Sequence, residues 1–300
     1  MTDNLKGILA VLLASSAFVV NDAVVKLLAA ELPPGEILVV RGVLVTAMLV
    51  VGVIALGAAR PLSILLTPMM LLRLSAAGGA TAMIVIALRD LPLATVNTVL
   101  QVTPLAVTAG AAIIYGERVG LPRWLAALSG FAGVVLIVKP AGGTFGVAAY
   151  VLLGALLCTT TRDVTTRGLD RGIPSIFVAA ASMAAVTLTG FIVAPFDSPW
   201  TLPTASAWTL MVVSGACLFV ANIFMIVALR TGEIAVVAPF RYIAAPLSIV
   251  LGWWWWGDIP DALGFAGIGM VIAAGLYTLH RERTSLAARP VPAPGRTPAE

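Results

Sequence analysis

The chain has 300 residues, of which 60% are hydrophobic and 11% charged, with a formal net charge of +4. Soluble domains are roughly half apolar and a quarter charged, so water is excluded as the main solvent. Lys and Arg are spread over many turns rather than gathered on one face, which excludes a nucleic-acid surface and points instead to membrane topology.

A bilayer core of about 30 Å is crossed by roughly 20 consecutive apolar residues in a helix. Runs of that length predict spans near 8–30, 36–56, 69–88, 93–114 and 122–138, and again near 147–168, 173–194, 207–229, 234–256 and 262–280. The first run is too long for a secretory leader. Joining segments are short and carry Pro or Gly, as at Pro33-Pro34, Pro122, Gly142-Gly143 and Pro260, so neighbouring helices should run antiparallel. Residues 284–300, rich in Pro, Arg and Ala, are expected to form a disordered cytoplasmic tail. Cys158 and Cys217 each lie in an apolar run, giving neither a disulfide framework nor metal spacing.

Charge placement sets the orientation. With the N-terminus inside, Lys6, Arg60, Arg73, Arg118, Arg123, Arg162, Arg167, Arg171, Arg230 and the basic residues from Arg281 onward fall on the inner side. Lys26, Arg89 and Lys139 fall outside, with Arg41 and Arg241 inside spans. Both termini are then cytoplasmic. Trp200, Trp208 and the run Trp253 to Trp256 fall at the outer interface, where indoles anchor helices.

Sliding the sequence against itself by 141 positions aligns Asp22 with Asp163, Lys26 with Arg167, Pro33 with Pro174, Ala87-Leu88-Arg89 with Ala228-Leu229-Arg230, and Gly116-Glu117 with Gly257-Asp258. Pro104 meets Pro246 after a slip of one residue. Two units follow, 5–140 and 146–283. Each holds five spans, an odd number, so the second enters the membrane in the opposite direction. The expected fold is all-α and integral to the membrane: ten transmembrane helices as two inverted five-helix repeats. By analogy, such repeats let two halves exchange roles and expose a midplane site to each side in turn, as secondary transporters do.

These motifs resemble the drug/metabolite transporter superfamily, in its EamA branch. The stretch from Phe18 through Asn21 to Lys26, Arg41, Pro104, Gly116-Glu117-Arg118 and Gly130 with Gly133 look like family signatures, echoed by Pro246, Gly257-Asp258, Gly264 and Gly267. The resemblance spans about residues 5 to 283. The chain departs from it with Phe18-Val19 where Trp-Gly is frequent, and with Asp258 where a second Glu is usual. The resemblance implies a ten-helix carrier with a central cavity; many bacterial members export amino acids or related metabolites.

Polar groups inside spans are candidate sites, because hydrocarbon cannot solvate them. Asp22 with Lys26 and Asp163 with Arg167 sit four apart, so each pair can neutralise itself. They are either helix-end ion pairs or a gate whose partners exchange across the pseudo-symmetry axis. Asn97, Gln101 and Thr103 precede Pro104, whose missing N–H frees a carbonyl one turn earlier. The counterpart span carries Pro239, Arg241, Tyr242 and Pro246, with Gln101 and Tyr242 in register. Recognition is placed there, with Arg241 either meeting a carboxylate or snorkelling to the interface. Asn21, Thr81, Thr160 and Asn222 are further cavity candidates, although Ser and Thr commonly bond their own helix. Gly78-Gly79-Ala80 offers a smooth surface to a helix or to substrate, and Gly130/Gly133 and Gly264/Gly267 suit close packing.

Two other classes compete. An intramembrane enzyme would use Asp22 and Asp163 as an acid–base pair, yet each has a basic neighbour four residues on. His280 is the single histidine, which leaves no zinc site and disfavours a His-based triad, and no Walker-type loop is present for ATP. A passive channel would repeat a pore helix symmetrically. The expectation is a secondary transporter of the bacterial inner membrane, without cofactor, metal, ATP or nucleic acid, and not an enzyme. It is expected to export amino acids, aromatic or other amphipathic ones among them, from a site between the third, fourth, eighth and ninth spans.

Overall fold

The computed structural model describes residues 3–116, 120–139, 146–170, 172–231 and 234–287, and among these there are helices and no strand. In the first half run α1 (Asp3–Glu31), α2 (Pro34–Ala55), α3 (Pro68–Asp90), α4 (Leu93–Leu100), α5 (Thr103–Tyr115) and α6 (Leu121–Val138). In the second half run α7 (Gly146–Arg167), α8 (Ser175–Val193), α9 (Ala205–Thr231), α10 (Ile234–Val237), α11 (Ala244–Trp256) and α12 (Ala262–Ala287). Among the described residues, nine helices are long and apolar enough to cross a bilayer, counting α4 and α5 as one. The tenth span is broken into α10, a tight 3-10 stretch over Ala238–Ile243, and α11. The turns at Gly142-Gly143 and the motif residues Glu117 and Arg118 lie outside the described residues.

Proline sets both interruptions. Pro104 has no N–H to give Leu100 O, and that carbonyl instead accepts the Thr103 hydroxyl at 2.6 Å. The helix therefore restarts at Thr103 after a turn through Gln101 and Val102. In the second half Pro239 sits at the head of the 3-10 stretch and Pro246 in the first turn of α11. The two interrupted spans also end alike, on Gly116 and Gly257 with φ of 66° and 68°, a left-handed close that a Cβ would strain. The last helix runs further than the sequence suggests: residues 284–287, expected in the tail, continue α12, because no proline intervenes before Pro290.

Packing obeys the inverted repeat. α1 lies along α9 as its counterpart α7 lies along α3; α3 meets α8 as α9 meets α2; α5 meets α7 as α11 meets α1. Two interfaces, α2–α8 and α6–α12, pair a helix with its own counterpart, and α4–α11 joins the two interrupted spans.

Lipid offers no hydrophobic drive for helix association, so close backbone approach carries it. At the α6–α12 crossing a Cβ on Gly133 would stand 2.8 Å from Gly267 O, and one on Gly267 would stand 2.6 Å from Gly133 O. Gly78 abuts Thr189 of α8 and Gly79 lies against Cys158 of α7, so this small-residue surface serves helices. Gly264 does not join the α6 contact; its N–H caps α12 through Asp261 Oδ1 at 2.8 Å. Apolar side chains such as Ile113, Leu157 and Ile192 face outward, as lipid requires. Trp253, Trp254 and Trp255 are exposed as an interfacial belt would be, but Trp256 turns inward.

Candidate functional site

Two polar clusters are related by the pseudo-symmetry. The first is built on α1. Asn21 is buried and its Oδ1 accepts Ser214 Oγ of α9 at 2.7 Å and Arg41 Nη1 of α2 at 3.4 Å, while its Nδ2 donates to Asp22 Oδ1 at 3.0 Å. Asp22 is faced by Arg41 and by Asn97 of α4. One guanidinium and one carboxylate thus share a closed, neutral pocket in which each buried polar group has a partner.

The second cluster is built on α7. Asp163 Oδ1 accepts Arg162 Nε at 2.8 Å. Arg73 of α3 donates from Nη1 to Ser182 Oγ of α8 at 2.5 Å and from Nε to Thr166 Oγ1 at 2.9 Å. Asp163 is also within electrostatic reach of Arg73 and of Arg241. The repeat relates the two clusters residue by residue: Asn21 to Arg162, Asp22 to Asp163, Arg41 to Ser182 and Arg73 to Ser214, all 141 positions apart. Arg and Ser have changed places between the flanking helices, so each cluster keeps one of each.

The clusters differ in access. Asn21, Arg41, Asn97 and Ser214 are buried, whereas the side chains of Arg162 and Asp163 are 34% and 39% exposed. Arg241 is exposed and lies within electrostatic reach of Asp163. The closed end is sealed by Lys26, whose Nζ donates to Leu91 O at 2.6 Å, lies 4.0 Å from Asp258 Oδ2 and sits 5.3 Å from the centre of the Trp256 ring. Beside it α4 meets α11 at Leu93 and Gly252, and Lys139 pairs with Asp261. The Lys139 ammonium and the Gly264 N–H hold the Asp261 carboxyl below the usual carboxylate range.

Lys26 does not pair with Asp22. Asp22 lies a turn deeper and is taken by Asn21, while the long lysine stem reaches outward to Leu91 and Asp258. For Asp163 the partner shown is its neighbour Arg162. Thr81, Thr160 and Asn222 each donate to a carbonyl four residues earlier in their own helix, at 3.0, 2.7 and 2.7 Å, and so are committed to the backbone, whereas Asn97 donates to Leu93 O at 3.3 Å and also faces Asp22. Gln101 keeps a buried Nε2 without a hydrogen-bond partner, at the α4–α5 break. Tyr242 is buried with its phenol over Gly275 of α12. A cavity of about 390 Å³ at the closed end, lined by Pro92, Thr95, Lys139, Asp258 and Asp261, includes neither Gln101 nor Arg241. Sequence reasoning had not singled out Arg73, Arg162, Ser182 and Ser214 as site residues, although the 141-residue offset pairs each of them with a polar residue. Among the described residues no cluster of His, Cys, Asp and Glu could hold a metal ion.

Comparison with known proteins agrees with this architecture. The EamA-like transporter family matches residues 5–139, from α1 through α6. The pseudopaline exporter CntI of Pseudomonas aeruginosa (strain UCBPP-PA14) is 30% identical over 285 residues, covering 92% of this chain and 96% of that protein. The riboflavin transporter of Rhizobium johnstonii is 27% identical over 183 residues, 60% of this chain and 59% of that protein. An S-adenosylmethionine uptake transporter of Rickettsia conorii is 23% identical over 199 residues, 65% and 66% of the two chains. One solved crystal structure shares the fold with a TM-score of 0.62 at 22% identity, covering 94% of this chain and 98% of its own. The chain belongs to the EamA-like transporter family and is a multi-pass membrane transporter rather than an enzyme.

Proposed function

We propose that this chain is a secondary transporter of the bacterial inner membrane that exports amino acids and related small metabolites by alternating access. The reading rests on one observation above the others: two clusters equivalent under the repeat, one sealed around Asn21 and Asp22, the other accessible around Asp163 and Arg241. Exchanging the halves of such a molecule opens the sealed cluster and seals the open one. The charge bias places both termini in the cytoplasm, so the accessible cluster faces inward and Lys26 closes the outer end. The units are 5–140 and 146–283, and substrate sits at the breaks in the two interrupted spans, where Gln101 Nε2 has an unused donor and Arg241 a charge to offer. Export is supported by the pseudopaline exporter, which aligns over almost its whole length.

Reconstitution tests it. Purified protein in liposomes should move labelled amino acids saturably, and Gln101→Ala together with Arg241→Ala should depress the flux. Saturable flux indifferent to both substitutions removes the proposed site, and flux linear in concentration marks a channel. Imposed pH gradients separate antiport from exchange or downhill movement.

A further inference from the structure

The two clusters match in position but not in charge. Around α1, Arg41 is balanced by Asp22. Around α7, Arg73, Arg162 and Arg241 surround Asp163 alone among the described residues. The next acid along the chain, Asp170, turns away to cap Gly172 N at 2.8 Å. Guanidinium groups remain charged at neutral pH, so among the described residues the accessible cluster carries two positive charges beyond what its carboxylate neutralises. Neutral hydroxyls satisfy part of Arg73, at Thr166 and Ser182, without cancelling its charge. Arg241 is exposed and donates no hydrogen bond to any described residue. Charge placed within the spans of a membrane protein is expensive, and where it exceeds the opposite charge beside it, it marks the path of an ion or substrate.

We infer that Arg73, Arg162 and Arg241 form a binding site for an anionic substrate with two carboxylates, the class that includes dicarboxylates and acidic amino acids. This rests on the transport reading above and narrows its substrate class. A zwitterionic amino acid has no net charge and leaves both positive charges in excess, an acidic amino acid cancels one of them, and a dicarboxylate without an amine cancels both. The planar guanidinium fork also suits bidentate contact with carboxylates. The closed cluster, already neutral, has no comparable attraction, so affinity for a dianion should be highest in the state that opens the Asp163 side.

Two measurements decide it. The first is binding of succinate, a dicarboxylate without an amino group, to purified protein in detergent, followed by calorimetry at low and high salt. Binding that weakens with salt and falls about tenfold or more in Arg241→Gln, the loss of a hydrogen bond to a charged group, is the expected result. Asp163→Asn, which removes the competing carboxylate, should tighten it; this second variant keeps the test decisive if Arg241→Gln folds poorly. The second is competition in proteoliposomes, where glutamate should displace a transported substrate at least tenfold more effectively than leucine. Absence of succinate binding, or binding unaffected by both variants, overturns the site. Saturable leucine flux with no preference for glutamate overturns the dianion class and leaves the transport reading standing. Succinate bound as expected with no amino-acid flux sustains the site and sinks the amino-acid reading instead.

Discussion

Arg73 and Ser214 occupy equivalent places 141 residues apart and act in complementary clusters: Arg73 reaches Ser182 from α3, and Ser214 reaches Asn21 from α9. Each half supplies to the other the polar group its own cluster lacks. The clusters are thus joint products of both repeats, and a change in one half should be felt through the other.

Asn21 is the test of that dependence. Asn21→Leu leaves the buried Ser214 hydroxyl and the Arg41 guanidinium without their acceptor, which should destabilise the protein by about 1–3 kcal/mol. Ser214→Ala removes one bond and should lower stability by about 0.5–1.5 kcal/mol. Thermal melting in detergent orders the two; equal losses would show that Asn21 is no hub.

The α6–α12 crossing tolerates no side chain. Gly133→Ala or Gly267→Ala drives a methyl onto the opposing backbone carbonyl and should lower stability by about 1–3 kcal/mol. Gly269, two residues away, has nothing within 4 Å of an added Cβ, and Gly269→Ala should be neutral or mildly stabilising. Similar melting points for all three would refute the crossing.

Lys26 holds the closed end. Lys26→Ala removes the hydrogen bond to Leu91 O, the approach to Asp258 and the contact with Trp256. In a background with Cys158 and Cys217 replaced by Ala, a thiol at Asn97→Cys, buried beneath the seal, should react with a water-soluble maleimide several-fold faster when Lys26 is absent. An unchanged rate would place the seal elsewhere.

The Lys139–Asp261 pair makes a pH prediction. Because the folded protein lowers the Asp261 carboxyl below its usual range, the stabilisation is complete above that range and disappears as pH falls through the lowered value. Wild type should melt slightly above Asp261→Asn at pH 7, and the gap should close on acidification and shrink in salt, since the pair is exposed. A gap that widens in acid contradicts the assignment.

The spans, the interruption at Pro104 and the register of the two halves were all legible in the sequence, because hydrocarbon thickness, the missing proline N–H and exact spacing act locally. Partner choice was not. Helical spacing puts Lys26 beside Asp22, but spacing is blind to depth, and depth sends the ammonium outward while Asn21 claims the acid. Gln101 and Tyr242 share a register, yet Tyr242 is drawn to the notch at Gly275, a contact between helices that no one-dimensional pattern carries. Asn222 reads as a cavity group because an amide in a span needs a partner, and it meets that need inside its own helix. The Arg/Ser exchange between the clusters was present in the offset, but only the fold shows that α2 faces α9 and α3 faces α8.

The crossing of α6 and α12 at Gly133 and Gly267 pairs the last helix of each half with its own counterpart. Swapping the halves returns that seam to itself, whereas it turns the α1–α9 contact into the α7–α3 contact. If the halves exchange roles, this seam need not part, and a covalent staple between α6 and α12 beside the two glycines should leave transport intact.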